Sequence, residues 1–75
     1  MVYVSRSEEL PSVRVAADLR RRALSGEWPA GQALPSVAAL AEHYQVARAT
    51  VARALRVLES EKLVRIVPRW GTFRA

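Results

Sequence analysis

Residues 34–58 read LPSVAALAEHYQVARATVARALRVL, and this stretch decides the fold. It divides into two short amphipathic segments joined by a tight turn, the grammar of a helix-turn-helix. In the second segment, advancing about 100° per residue, Val51, Ala54, Leu55 and Leu58 fall within one sector of roughly a quarter turn, the i, i+3, i+4, i+7 pattern of a buried face. Ala49, Arg53, Arg56 and Ser60 lie opposite. Arg48 stands at the flank of that face but in the first turn, where a recognition helix points at base edges. Arginines on a free helix face are ordinarily just solvated. The small Ala49 and Ala52 beside them favour a groove-reading helix, which needs long cationic reach and little bulk around it.

The first segment is set up by Leu34-Pro35-Ser36. Pro35 has no amide to donate, and the Ser36 hydroxyl can accept from the orphan amides of the next turn as an N-cap. Val37, Leu40, Ala41 and Tyr44 then make a second apolar stripe. Ala39 stands three residues after Ser36, so no capping box forms and the helix start rests on the cap alone.

The whole chain has 75 residues, 51% of them hydrophobic, and no cysteine. That bounds the answer to one small core with no disulfide framework. No apolar run approaches the length of a bilayer span, and the start of the chain is too short and mixed for a signal peptide, so a cytoplasmic protein is the default. Net charge is +5, and its placement matters more than its size. Acids and arginines cancel through residue 42, and all the excess lies beyond it, where seven cations face only Glu59 and Glu61. With a sequence pI near 11.1, that polarity suits a polyanion. A membrane surface fits less well, because the cations are spread over a helix and a hairpin rather than along one amphipathic helix.

Residues 1–11 are expected to form an N-terminal arm and residues 12–75 the folded domain. Ser12 is expected to cap a helix running to about Ser25, with Val15, Ala16, Leu19 and Ala23 inside and Gly26 as its left-handed stop. Arg20, Arg21 and Arg22 are consecutive and cannot share one face; they read as solvated, with one at most reaching a phosphate. Residues 27–32 have turn chemistry, and Trp28 is expected to plug the core beneath them. Leu63-Val64-Arg65-Ile66-Val67 is β-branched, residues 68–71 have turn composition, and Thr72-Phe73-Arg74 can return as a second strand. A hairpin directly after a recognition helix is a wing. Its tip carries Arg69, Trp70 and Gly71, and a cation on a narrow loop suits a minor groove or its flanking phosphates. The fold class is therefore mainly α with a small β-hairpin, a winged helix-turn-helix. Val15, Leu19, Leu40, Tyr44, Val51, Leu55, Leu58 and Phe73 are the expected core.

Gly26, Gly31, Leu34-Pro35-Ser36, Leu40-Ala41, Val46, Arg48, Thr50-Val51, Ala54-Leu55, Leu58, Leu63-Val64 and Gly71-Thr72-Phe73, in this order and spacing, resemble the DNA-binding domain of the GntR family of bacterial transcriptional regulators. The resemblance covers residues 13–73. It departs from the family pattern at four places. Ala47 replaces the serine that caps the third helix, removing a cap of about 1 kcal/mol. Ala52 stands at the family's second arginine, with Arg53 one place along. Arg69 replaces the first glycine of the wing pair, and Lys62 the glycine that ends the third helix.

The resemblance implies sequence-specific binding to duplex DNA, with residues 47–60 in the major groove and residues 68–71 at the minor groove or backbone. Arg48 is then expected on guanine O6 and N7, and Thr50 and Ser36 on phosphates. Arg53 and Arg56 extend the contact, while Arg69, Trp70 and Gly71 engage beside it. The implied partner is a palindromic operator, read by two units about one helical turn apart. The effector domain that such regulators carry is not in these 75 residues, and a monomer or weak dimer is expected. A winged-helix module for protein interaction and a nonspecific DNA binder are the alternatives. Catalysis, cofactors and metal have little support, since His43 is the single histidine and no cysteine or paired carboxylates accompany it.

Overall fold

Small domains without disulfides must close their cores by packing elements against one another, and here three helices and a hairpin do so. The computed structural model describes residues 10–75; the arm expected over the first residues lies outside them except for Leu10 and Pro11. Helix α1 spans Pro11–Leu24, α2 Val37–Tyr44 and α3 Arg48–Ser60, followed by strands β1, Val64–Val67, and β2, Gly71–Arg74.

Helix α1 begins two residues earlier than expected. Pro11 occupies the first helical position, where its fixed φ is already helical and its missing amide costs nothing. Leu10 is therefore the N-cap, with no side-chain cap, and Ser12 falls inside the first turn rather than capping it. At the other end Gly26, at φ 91°, lets its amide donate to Ala23 O (3.2 Å) and the Glu27 amide to Arg22 O (3.2 Å), a Schellman motif. Ser36 caps α2 as expected, its hydroxyl accepting from the Ala39 amide at 3.0 Å. Gln45, at φ 58°, closes α2 in the left-handed region and makes the tight turn into α3.

Helix α3 ends on a similar device. Lys62 holds φ 64° while its amide donates to Glu59 O (2.9 Å) and that of Leu63 to Leu58 O (3.0 Å). A side chain in this region costs about 1 kcal/mol that glycine avoids. Lys62→Gly is accordingly expected to stabilise the domain by about that amount, raising its melting temperature by roughly 4–8 °C; an unchanged or lower melting point contradicts the assignment of strain.

The wing pairs antiparallel, with Val64 opposite Arg74 and Val67 opposite Gly71. Its turn is Pro68-Arg69, closed by the Trp70 amide on Val67 O at 3.0 Å. Arg69 at φ 73° takes the position where a type II turn ordinarily has glycine. Gly71, expected in the turn, opens β2 instead. Residues 31–34, of which 31 and 32 were expected as turn, run beside β2 as an extended segment outside the two-stranded sheet. The Gly31 amide donates to Arg74 O (2.7 Å), Arg74 to Gln32 O (2.8 Å) and Leu34 to Thr72 O (2.8 Å), with a bridge between Ala33 and Phe73.

One core serves all these elements. Val15, Ala16, Leu19 and Ala23 of α1 meet Leu40 and Ala41 of α2, Val51, Ala54, Leu55 and Leu58 of α3, and Val64 of β1. Trp28 plugs it from the loop at 5% exposure, as its position suggests. Two residues expected in the core sit at its edge: Tyr44 and Phe73 are half-buried. For Tyr44 the reason is its hydroxyl, which stays among polar partners described below. Phe73 lies on β2, where alternation gives the buried position to Thr72.

Candidate nucleic-acid interface

The start of α3 is left open. Ala47 is its N-cap and offers no side-chain acceptor, and the first helical bonds run from Thr50 (3.0 Å) and Val51 (3.3 Å) to Ala47 O. The amides of Arg48 and Ala49 thus form the positive end of the helix dipole. Arg48 is exposed there, and exposed Ala38, Ala39, Ala47 and Ala49 keep bulk low around it. It lines an open cleft with Ala38, Ala41, Glu42 and the turn Gln45-Val46-Ala47.

Arg53 and Arg56 are also exposed, and Thr50 is half-buried. Arg53 does not share the Arg48 cleft. It lines a second recess between α1 and α3, with Leu10, Val13, Arg20 and Val57, which agrees with its place about 140° round the helix from Arg48. Ser36 is exposed; the cap uses its oxygen as acceptor, leaving the hydroxyl proton to donate. At the wing tip Arg69, Trp70 and Gly71 are all exposed, Trp70 at 79%.

Charge is sorted by ion pairing. Arg20 donates through Nε and Nη2 to both oxygens of Glu61 at 2.8 and 2.7 Å. Arg21 pairs with Asp18 at 2.6 Å. Arg22 grips Glu27 through two bonds of 2.8 and 2.6 Å, stacks over Trp28 at 4.7 Å and donates to the Tyr44 hydroxyl at 2.8 Å. That hydroxyl in turn donates to Asp18 at 2.6 Å. So the arginine run of α1, expected to be solvated, lies at the surface but is ion-paired: the Arg21 side chain is 69% exposed, and Arg22 is the one drawn inward, at 17%. Among the described residues Arg48, Arg53, Arg56, Lys62, Arg65 and Arg69 have no acidic partner within salt-bridge distance. Arg14 of α1 has no such partner either, but the greater part of the unpaired positive charge lies on and after α3.

These pairs set an acid limit. Tyr44, then Arg21, hold the Asp18 carboxyl below the usual range; Arg22 does the same for Glu27 and Arg20 for Glu61. A carboxylate whose pKa is depressed by folding contributes stability above its unfolded value, near 4, and loses it as pH falls through the folded value. The urea midpoint is therefore expected to hold steady from pH 7 to about 5 and to drop below about pH 4. Equal midpoints at pH 3 and pH 7 would contradict this role for the pairs.

Two exposed residues were not singled out in the sequence. Arg65 lies on β1, and its alternation between Val64 and Ile66 already places it on the outer face. Glu42, in the Arg48 cleft, gives no comparable signal. His43 is exposed and packs edge-to-face on Tyr44 at 4.8 Å. No cluster of three or more His, Cys, Asp or Glu among the described residues could hold a metal.

Three helices, an exposed and uncapped third one, and an antiparallel hairpin directly after it define a winged helix-turn-helix. Residues 11–73 match the family described as bacterial regulatory proteins, gntR family, and the chain belongs to that family. Solved structures agree. The DNA-binding domain of AraR in complex with operator ORR3 superposes with a TM-score of 0.83 at 26% identity, covering 87% of this chain and 78% of that one. Its complex with operator ORE1 gives 0.84, also at 26% identity, over 87% and 79%. A crystal structure of a putative GntR-family transcriptional regulator is 37% identical with a TM-score of 0.79, over 91% of this chain but 27% of that one. No curated protein is significantly similar in sequence.

Proposed function

We propose that this chain is the DNA-binding unit of a bacterial transcriptional regulator and reads a specific duplex sequence. The observation that carries this is the sorting of charge. Arg20, Arg21 and Arg22 of α1 are paired with Glu61, Asp18 and Glu27, while the cations of α3 and the wing have no acidic partner among the described residues, on a fold shared with domains solved on operator DNA. Arg48 reads a guanine edge through O6 and N7 from the open start of α3. Thr50 and the Ser36 hydroxyl hold phosphates, Arg53 and Arg56 extend the contact along the groove, and Arg69, Trp70 and Gly71 engage the adjacent minor groove or backbone.

Two units bind half-sites of a palindromic operator about one helical turn apart, and the chain alone is a monomer or weak dimer; a stable dimer by light scattering at micromolar protein would count against that. The bacterial cytoplasm, at the nucleoid, is the location this role implies. No described helix is long and apolar enough to cross a membrane.

Selection of bound duplexes from a random pool tests the reading. Wild-type protein is expected to enrich one motif, and Arg48→Ala to relax it at a single position by about 1–3 kcal/mol. If nothing enriches and binding only fades with salt, the chain is a nonspecific backbone binder. If it binds no duplex at all, a protein-interaction module becomes the better account.

A further inference from the structure

The wing tip holds an indole that the fold does not use. Trp28 is buried in the core, whereas Trp70 is 79% exposed. It sits on a three-residue loop between paired Val67 and Gly71. The backbone beneath it is fixed rather than loose: Pro68 locks one turn position, and Arg69 holds φ 73°, a conformation that glycine would hold without strain. Gly71, at φ 122° with nothing within 4 Å of the place a Cβ would take, adds no bulk beside the ring.

The wing's own ionisable residues are all of one sign, the Glu59 carboxylate of α3 reaching it only at the Ile66 amide, 2.9 Å away. Residues 62–75 contain Lys62, Arg65, Arg69 and Arg74 and no aspartate or glutamate. Arg74 is engaged with the carbonyls of Leu63 and Ala75 at 3.1 and 2.9 Å; Arg65 and Arg69 are free. An exposed π face among unpaired cations fits a partner that is polyanionic and stackable.

We infer that Trp70 is a wedge that enters the minor groove at the operator's edge, partly unstacks a base step and bends the duplex. This rests on the DNA reading above and adds to it a deformation of the DNA. A hairpin tip is narrow enough for the groove, and apolar side chains inserted there open base steps and kink DNA by roughly 20–90°. The step chosen is pyrimidine–purine, TA or CA/TG, which unstacks most easily. Specificity therefore extends to a position where no hydrogen bond reads the base.

The test uses the 75-residue chain and the duplex recovered by selection. Trp70→Ala removes an exposed side chain and leaves the core intact, as melting will verify. It is expected to weaken operator binding about 5- to 150-fold and to abolish the bend measured by energy transfer between dyes at the duplex ends. The slope of affinity against salt should stay unchanged, because the indole carries no charge; Arg69→Ala, by contrast, should lower that slope by about 1. Trp70→Phe should keep part of the bend, and its remaining Trp28 fluorescence should not respond to DNA, whereas wild-type fluorescence does.

If Trp70→Ala binds and bends like wild type while the selected motif survives, the wedge is wrong and the DNA reading stands. If wild-type fluorescence responds to vesicles of phosphatidylserine and phosphatidylcholine but not to the duplex, the tip is a membrane contact and the wedge is overturned. If no motif enriches for wild type, both readings fall together.

Discussion

Leu55→Ala is expected to lower the unfolding free energy by about 2–5 kcal/mol and the melting temperature by at least about 8 °C. Leu55 is 1% exposed and belongs to the cluster that joins all three helices to the wing. Truncation there loses transfer free energy and leaves a cavity, because α1, α2 and β1 are each pinned elsewhere and cannot close over the gap. A domain of this size has a total stability of only about 4–11 kcal/mol, so much of it rests on this one side chain. At the very next position, Arg56→Ala removes an exposed residue and should change stability by no more than about 0.5 kcal/mol while weakening DNA binding. Denaturation followed by helical circular dichroism checks both. Similar losses for the two variants would mean that the exposed face of α3 is part of the folded core.

Raising salt from 50 to 200 mM should weaken binding to a duplex carrying both half-sites about a thousandfold. Arg53, Arg56 and Arg69 have no acidic partner among the described residues; on the proposed reading two units place six cations on phosphates, and six such contacts give a loss of this order through counterion release. Arg20 and Arg21 are equally cationic but are held by Glu61 and Asp18. Removing either should leave the slope where it was, whereas each of Arg53→Ala, Arg56→Ala and Arg69→Ala should reduce it. A titration in which Arg20→Ala flattens the slope as much as Arg56→Ala would show that the α1 pairs open on DNA.

What the sequence disclosed follows the range of the forces involved. Helices α2 and α3 were legible because burial imposes a 3.6-residue rhythm on Val37, Leu40, Ala41 and on Val51, Ala54, Leu55, Leu58. The Ser36 cap was legible because a hydroxyl three residues from an orphan amide is a local arrangement. Ser12 misled because Pro11 beside it is the stronger start signal. The extended segment beside β2 had no such signature: Gly-Gln-Ala-Leu lacks alternation, and only the already formed β2 gives its amides partners. The pairing of Arg20 with Glu61 spans 41 positions, so a solvated reading was the natural one for residues known only by their neighbours. Arg48, Arg53, Arg56, Ser36 and the wing residues were placed on the surface by pattern, and they are there, apart from half-buried Thr50. That Arg48 and Arg53 point about 140° apart is helical periodicity, but that Arg53 lines a recess against α1 depends on where α1 crosses α3, which no local pattern encodes.

The bonds between residues 31–34 and β2 also make the molecule a lever. The same extended segment that carries Leu34 and Pro35 into the capped start of α2 is laced to β2, the far limb of the wing. A push on the tip is therefore delivered to the foot of α2 through bonded backbone instead of being dissipated in a slack loop. On the proposed reading, seating the wing and seating Ser36 are then expected to be coupled through these bonds. Amide exchange at Leu34 and Arg74 would report that linkage by slowing in step when the duplex binds.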